Sequence, residues 1–458
     1  MPEQRLAAAI VGAGTAGLYA ASRISRATDD FLLFEGGIEG TTCARVGCMP
    51  SKAIISASQA FACTAKGAAA ASPADSAAVL AQVRQVRDAL VSHTAKNARA
   101  RFGEKIRTRT VHFIAPMTLF DGETSYACER IVLACGSTPA IPPGWRLLPG
   151  KIITTDQFFE LTELGRKVLV LGLGPVGIEL SQAMAGLGIE VVAAEMTENA
   201  AAIRSPAILE MLLSCLGAEK NLKLLFRHKA VLVSAEGRVR AELSDLGTGK
   251  SVIEEFDQVL LATGRKPNAA ALKLENSGLI LDARSLPVFD GKTLATQDGK
   301  VFLAGDFSVL RPFFHDAADQ GILAGQNAVA KGALSSLPEK VALSIVFTHP
   351  NVVQVGRTPA DPAAEGLAAG TVDFADMGRA KLEGGKRGRI SLYFSQESRT
   401  LSGAELVAPE GEHMGHFLAA CIQARFTVEQ MLSLPYYHPT YEELIQGAVD
   451  QAKRLMRS

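Results

Sequence analysis

Cys43-Ala44-Arg45-Val46-Gly47-Cys48-Met49-Pro50-Ser51-Lys52 is the stretch of this sequence richest in potential chemistry. Two cysteines five positions apart, with small residues and a glycine between them, can close a short strained disulfide at the start of a helix. A helix N-terminus there, and Lys52 one turn further on, would each stabilise a thiolate. The competing readings are half of a zinc site and two unrelated buried thiols. Zinc asks for two more ligands at metal spacing, and none of the other five cysteines supplies a pair, so no metal is expected. Near the far end of the chain, His438-Pro439-Thr440-Tyr441-Glu442-Glu443 places carboxylates just behind a histidine. An imidazole held by a carboxylate can take a thiol proton near neutral pH, although the same pair taken alone also reads as a surface helix cap.

Two glycine-rich segments carry a second kind of chemistry. Gly12-Ala13-Gly14-Thr15-Ala16-Gly17 follows an apolar strand, Ala7 to Val11, and opens a helix expected to run to about Ala27. A second strand, Phe31 to Phe34, ends at Glu35. Bare backbone amides at a positive helix end can meet a pyrophosphate, and an acid closing the next strand can accept the hydroxyls of an adenosine ribose. Gly172-Leu173-Gly174-Pro175-Val176-Gly177 repeats the pattern, with strands Val168 to Leu171 and Val191 to Ala194 and the acid at Glu195. A carboxylate suits a 2′-hydroxyl and repels a 2′-phosphate, so the second site favours NAD over NADP. Two such units in one chain imply two bound dinucleotides. The alternatives are tight strand-helix turns without ligands and, for Glu195, a solvated strand-end acid.

The elements that must position these groups read as α/β: two Rossmann-like dinucleotide-binding domains followed by a C-terminal α+β dimerisation domain. The expected division is 1–150, 151–270, a central stretch 271–340 and 341–458. Alanine-rich residues from Ala60 to Arg101 suggest a helical hairpin broken near Ser72-Pro73. From about Ala271 to Ser335 the pattern alternates strand and turn signals, with a strand from Lys300 to Leu303 running into Ala304-Gly305-Asp306. Strands are expected again at Ser344 to Phe347, Val352 to Val355 and Ile390 to Phe394, with helices after them.

Composition narrows the partners. Lys+Arg and Asp+Glu are both 47 in 458 residues, so no global field draws in nucleic acid or a charged membrane. No apolar run reaches bilayer length. Leu6 to Ala21 resembles a signal peptide in hydropathy, but Glu3-Gln4-Arg5 before it lacks net positive charge and glycines interrupt it. Seven cysteines, with one tight spacing, fit a reducing cytoplasm better than a secreted disulfide framework.

Taken together, these motifs resemble the class I pyridine nucleotide-disulfide oxidoreductases, and within them the dihydrolipoyl dehydrogenase branch. The resemblance spans nearly the whole chain. It takes in the segments already quoted, Leu133-Ala134-Cys135-Gly136-Ser137, Ala262-Thr263-Gly264-Arg265-Lys266-Pro267-Asn268, Phe302 to Asp306 and Phe347-Thr348-His349-Pro350. It implies FAD at the first fingerprint, with Gly136, Asp306 and Ala317 contributing and Asp306 holding the ribityl chain. It implies NAD at the second fingerprint, with Gly264 nearby. Cys43 would exchange with substrate, Cys48 would meet the flavin, and Lys52 with Glu179 would form an ion pair beside it. The His438-Pro439 bond would be cis. A homodimer would share its active sites, His438 and Glu443 of one subunit serving the cysteines of the other. The substrate implied is a small dithiol, lipoamide or the lipoyl domain of a 2-oxo acid dehydrogenase complex.

The sequence departs from the family pattern at Arg45, Cys135, Pro175 and His349. Glutathione-type reductases would want cations after Glu195, where Met196-Thr197 offers none. Mercuric and large thioredoxin reductases carry a further C-terminal redox pair, whereas Arg454 to Ser458 contains no cysteine. Soluble transhydrogenases lack one of the two cysteines present here. Alternatives kept open are an NAD(P)H-dependent reductase of another small disulfide and a redox-sensing flavoprotein.

Overall fold

A computed structural model describes residues 2–65, 74–385 and 387–456. The expected break at Ser72-Pro73 lies outside the described residues; helices Cys48–Ala65 and Ser76–Phe102 flank that gap. The chain forms two compact units. One gathers Met1–Ala53, Ala81–Ala140 and Arg265–Pro338, and the other Ile54–Leu80, Ile141–Gly264 and Glu339–Ser458.

In the first unit, a five-stranded parallel sheet has the order Val301–Leu303, Ile131–Leu133, Ala8–Val11, Phe31–Phe34, Ile106–Arg107. Its inner strands are continuous apolar runs because parallel strands covered on both faces cannot alternate. Ile10, Leu33, Val132 and Phe302 are fully buried there. Helix Thr15–Ile24 stops three residues short of the expected Ala27, with Ser25 as its C-cap. Against it packs Phe314–Ala328, a helix in the stretch where strand and turn signals had been read. The two backbones meet closely: a Cβ on Gly321 would fall 2.2 Å from the Ala16 carbonyl oxygen, and one on Gly325 2.5 Å from that of Ala20. A smaller four-stranded sheet, Glu3–Leu6, Ser125–Cys128, Thr118–Phe120 and His112–Ala115, completes this unit.

The second unit repeats the parallel design. Its order is Ile152–Thr154, Gln258–Leu261, Lys167–Leu171, Glu190–Glu195, Leu222–Phe226, with helix Pro175–Gly186 opened by a proline at a position where no N–H is needed. Its C-terminal part is a five-stranded antiparallel sheet: Leu343–Val346, Asn351–Gly356, Leu401–Ala408, Arg389–Ser395, Leu367–Asp373. Three of these strands match the sequence reading. Leu367–Asp373 and Leu401–Ala408 were not legible, because the first is rich in Ala and Gly and the second carries a glycine and a fully buried glutamate, Glu405. Helix Glu443–Leu455 lies on strand Leu367–Asp373, where a Cβ on Gly370 would meet the Ala448 carbonyl oxygen at 1.8 Å.

Candidate active site

The cysteine segment folds as two helical pieces. Thr41 caps the one-turn helix Thr42–Arg45, its hydroxyl accepting the Ala44 N–H at 3.2 Å. Gly47 then makes the corner, where a Cβ would press to 3.0 Å against the Thr42 carbonyl oxygen. Cys48 is the first residue of helix Cys48–Ala65, and Lys52 stands one turn along it. Both cysteines are thiols, Cys43 half-buried and Cys48 exposed. The Cys43 thiol is pushed up in pKa, first by its hydrogen bond with Cys48, then by burial and by the charge on Cys48; Lys52 pulls the other way more weakly. Two thiols this close titrate as a pair. Between them, Arg45 Nε is buried with no hydrogen-bond partner among the described residues.

The two glycine turns are built alike. Gly12 and Gly172 both adopt positive φ, +107° and +94°. A Cβ on Gly17 would strike the Gly12 carbonyl oxygen at 1.8 Å, and one on Gly177 the Gly172 carbonyl oxygen at 2.0 Å. In contrast, a Cβ on Gly14 or Gly174 would meet nothing within 4 Å, so space is open in front of each helix start. Glu35 Oε2 accepts the Ala13 N–H and Oε1 that of Gly37, at 2.9 and 2.8 Å. Glu195 does the same with Leu173 and Thr197, at 2.9 and 3.0 Å. Each acid therefore props the turn and stands beside the open space. A cleft lined by Ala13, Glu35, Gly40, Thr41 and Arg99 continues from the first turn. This geometry fits a dinucleotide at both turns.

Asp306 follows strand Val301–Leu303 in the short helical turn Gly305–Ser308, and its Oδ2 takes a hydrogen bond from the Ser137 hydroxyl at 2.7 Å. Gly136 and Gly264 have positive φ, and Ala317 is buried in the first turn of Phe314–Ala328. The Cys135 thiol lies within 3.5 Å of the Val11 carbonyl oxygen, and burial and then Glu35 raise its pKa.

In the second unit, His438 Nδ1 lies 2.9 Å from Glu443 Oε1, and Glu443 Oε2 accepts the Thr440 N–H at 3.0 Å. The His438 side chain is 76% exposed. The His438-Pro439 bond is cis, as is His349-Pro350. Buried Glu179 accepts the Phe347 N–H at 2.8 Å. One turn later, Gln182 grips the main chain of His349, donating to its carbonyl oxygen at 2.8 Å and accepting its N–H at 2.7 Å. The sequence held no signal for Gln182, since a glutamine reading a peptide group has no fixed spacing. Cys43, Cys48 and Lys52 thus belong to one unit, and Glu179, His438 and Glu443 to the other.

Residues 7–332 match the family model described as pyridine nucleotide-disulphide oxidoreductase, and residues 343–449 match that family's dimerisation domain. The chain belongs to the pyridine nucleotide-disulphide oxidoreductase family. Members of this family use FAD and a pyridine nucleotide, and the chain is a flavoprotein oxidoreductase of the dihydrolipoyl dehydrogenase-like kind. It is 28% identical to a dihydrolipoyl dehydrogenase of Halobacterium salinarum, over 97% of this chain and 95% of that one. It is 26% identical to a mercuric reductase of Staphylococcus aureus, over 92% of this chain and 78% of that one. Among solved structures, the HOCl-induced flavoprotein disulfide reductase RclA from Escherichia coli superposes with a TM-score of 0.82 at 20% identity, covering 98% of this chain and 100% of that one. That last likeness concerns the pyridine nucleotide-disulphide oxidoreductase fold. No helix among the described residues is long and apolar enough to cross a membrane.

Proposed function

We propose that this flavoprotein oxidises dihydrolipoamide, free or on a lipoyl domain, and reduces NAD, through a redox disulfide formed by Cys43 and Cys48. The observation that carries the reading is the His438–Glu443 pair at 2.9 Å with its imidazole 76% exposed. A dithiol substrate needs a base at the surface to take its thiol proton. In this proposal the chain is a cytoplasmic homodimer in which His438 of one subunit serves the cysteines of the other. Residues 1–150 and 271–340 build the FAD site, 151–270 the NAD site and 341–458 the interface. Lys52 and Glu179 form an ion pair beside the flavin.

When bound, FAD supplies two-electron transfer between the thiol pair and the nicotinamide. The chain's own residues do the rest. Gly12, Gly14 and Gly17 present amides to one pyrophosphate, and Gly172, Gly174 and Gly177 to the other, with Glu35 and Glu195 at the riboses and Gly264 near the second site. His438 takes one substrate thiol proton, the resulting thiolate attacks Cys43 Sγ, and Cys48 leaves as thiolate. The second substrate sulfur then attacks the substrate sulfur of the mixed disulfide and Cys43 leaves, taking that thiol's proton; cyclic disulfide is released, and the reduced enzyme holds the Cys43 thiol, the Cys48 thiolate and the first proton on His438.

Support for lipoamide rests on the dihydrolipoyl dehydrogenases among the relatives. Steady-state kinetics with NADH across lipoamide, glutathione disulfide, cystine and mercuric ion tests it. Lipoamide should give the highest kcat/KM by at least about tenfold, a discrimination worth ~1.4 kcal/mol. A higher value for any other acceptor would overturn the lipoamide assignment, and stoichiometric reduction without turnover would favour a redox sensor.

A further inference from the structure

The chain leaves the first unit after Ala140 and returns to it at Arg265. Exit and return are stitched together. Ser137–Pro139 pairs antiparallel with Arg265–Pro267, Ser137 facing Pro267. Asn268 closes the seam, its backbone N–H on the Gly136 carbonyl oxygen at 3.1 Å and its Nδ2 on that of Cys135 at 2.9 Å.

The Arg265 side chain turns back across this seam. Its Nε donates to Ser137 Oγ at 2.8 Å and its Nη2 to the Ser137 carbonyl oxygen at 2.7 Å. Ser137 is buried, and its Oγ lies 2.7 Å from Asp306 Oδ2. Arginine has only donors and a serine hydroxyl has one proton. The hydroxyl therefore accepts from Arg265 and spends its proton on Asp306, so every hydrogen in the chain has one direction. Asp306 Oδ2 is turned toward Ser137, which leaves Oδ1 to accept from a hydroxyl-bearing ligand.

We propose that Arg265, acting through Ser137, is a positioning residue for Asp306 and thereby sets how tightly the flavin dinucleotide is held. This rests on the reading of Asp306 as the acceptor for the ribityl chain. Arg265 itself is a surface residue, and its effect passes through the buried hydroxyl.

The test is the affinity of FAD for apoprotein, measured by quenching of flavin fluorescence, together with the melting temperature of each apoprotein. Asp306→Asn should weaken binding, and Arg265→Met and Ser137→Ala should each raise Kd by about tenfold, the size expected when a hydrogen bond to a charged group is lost. Arg265→Met added to Asp306→Asn should cost nothing further, because both act on one contact. If Asp306→Asn binds FAD normally, the reading of Asp306 falls and the inference with it. If Asp306→Asn is impaired but Arg265→Met is not, Asp306 stands and the inference is overturned. A lower apoprotein melting temperature for Arg265→Met with unchanged FAD affinity would make Arg265 a fastener of the seam and nothing more.

Discussion

Glu443 holds His438 from one side, Oε1 on the imidazole Nδ1 at 2.9 Å while Oε2 is fixed by the Thr440 N–H at 3.0 Å. The hydrogen bond from His438 keeps the Glu443 carboxyl below the usual carboxylate range, so near neutral pH it is ionised and can only accept. Nδ1 must then carry the hydrogen, so in the neutral ring Nε2 is the acceptor. His438→Ala should lower dihydrolipoamide oxidation about 10²-fold or more, the range for loss of a general base. NADH should still reduce the flavin, because that half-reaction removes no thiol proton; stopped-flow absorbance separates the two.

Glu443→Gln should cost less than His438→Ala, since an amide keeps a hydrogen bond to the ring. The sign of its pH dependence follows from the depressed carboxyl. The interaction is fully present above the unfolded value, about 4.3, and is lost only as pH falls through the lower folded value. An activity limb near neutral pH that persists in Glu443→Gln would rule out protonation of Glu443 as its source, whereas a limb that vanishes would contradict the depressed carboxyl.

Mixing a Cys43→Ser chain with a His438→Ala chain tests whether sites are shared. In a shared-site mixed dimer one site contains neither lesion, so activity should reappear on subunit exchange. A mixed dimer confirmed by native mass spectrometry yet inactive would mean that each subunit uses its own histidine.

The two sulfurs should separate spectroscopically. Cys48→Ser is expected to retain FAD and lose the long-wavelength charge-transfer band on two-electron reduction, whereas Cys43→Ser should show a band without reduction. The reverse pattern would exchange their roles.

Glu195, with its carboxylate fixed by Leu173 and Thr197, should favour NADH over NADPH by at least about tenfold in kcat/KM, or ~1.4 kcal/mol. Equal values would show that it does not face the ribose.

Glu405 offers a stability test. It is fully buried, accepts the Arg204 and Ser205 N–H groups at 3.0 and 2.8 Å, and has its pKa raised, chiefly by burial. A raised folded value means the native state holds the proton more tightly, so this term is most favourable at low pH and is lost as pH rises through the folded value. Glu405→Gln should melt below the parent protein, with a deficit that shrinks as pH rises above about 4. A deficit that widens instead would show that the carboxylate is the form the fold prefers.

By itself the sequence determined the two glycine turns with Glu35 and Glu195, the cysteine pair at a helix start, and the α/β class. These are local: each depends on residues a few positions apart, on the lack of a Cβ at Gly12 or on the period of an apolar strand. Helix Phe314–Ala328 and strand Leu401–Ala408 were hidden because long-range packing overrides their own composition. Gly321 and Gly325 look like helix breakers until Ala16 and Ala20 arrive against them, and Glu405 looks exposed until Arg204 and Ser205 bring their N–H groups to it. The chain from Arg265 through Ser137 to Asp306 joins positions 128 and 169 residues apart. Its hydrogen-bond directions exist only after folding, because a hydroxyl acquires a fixed direction from the partners that tertiary structure places on either side of it.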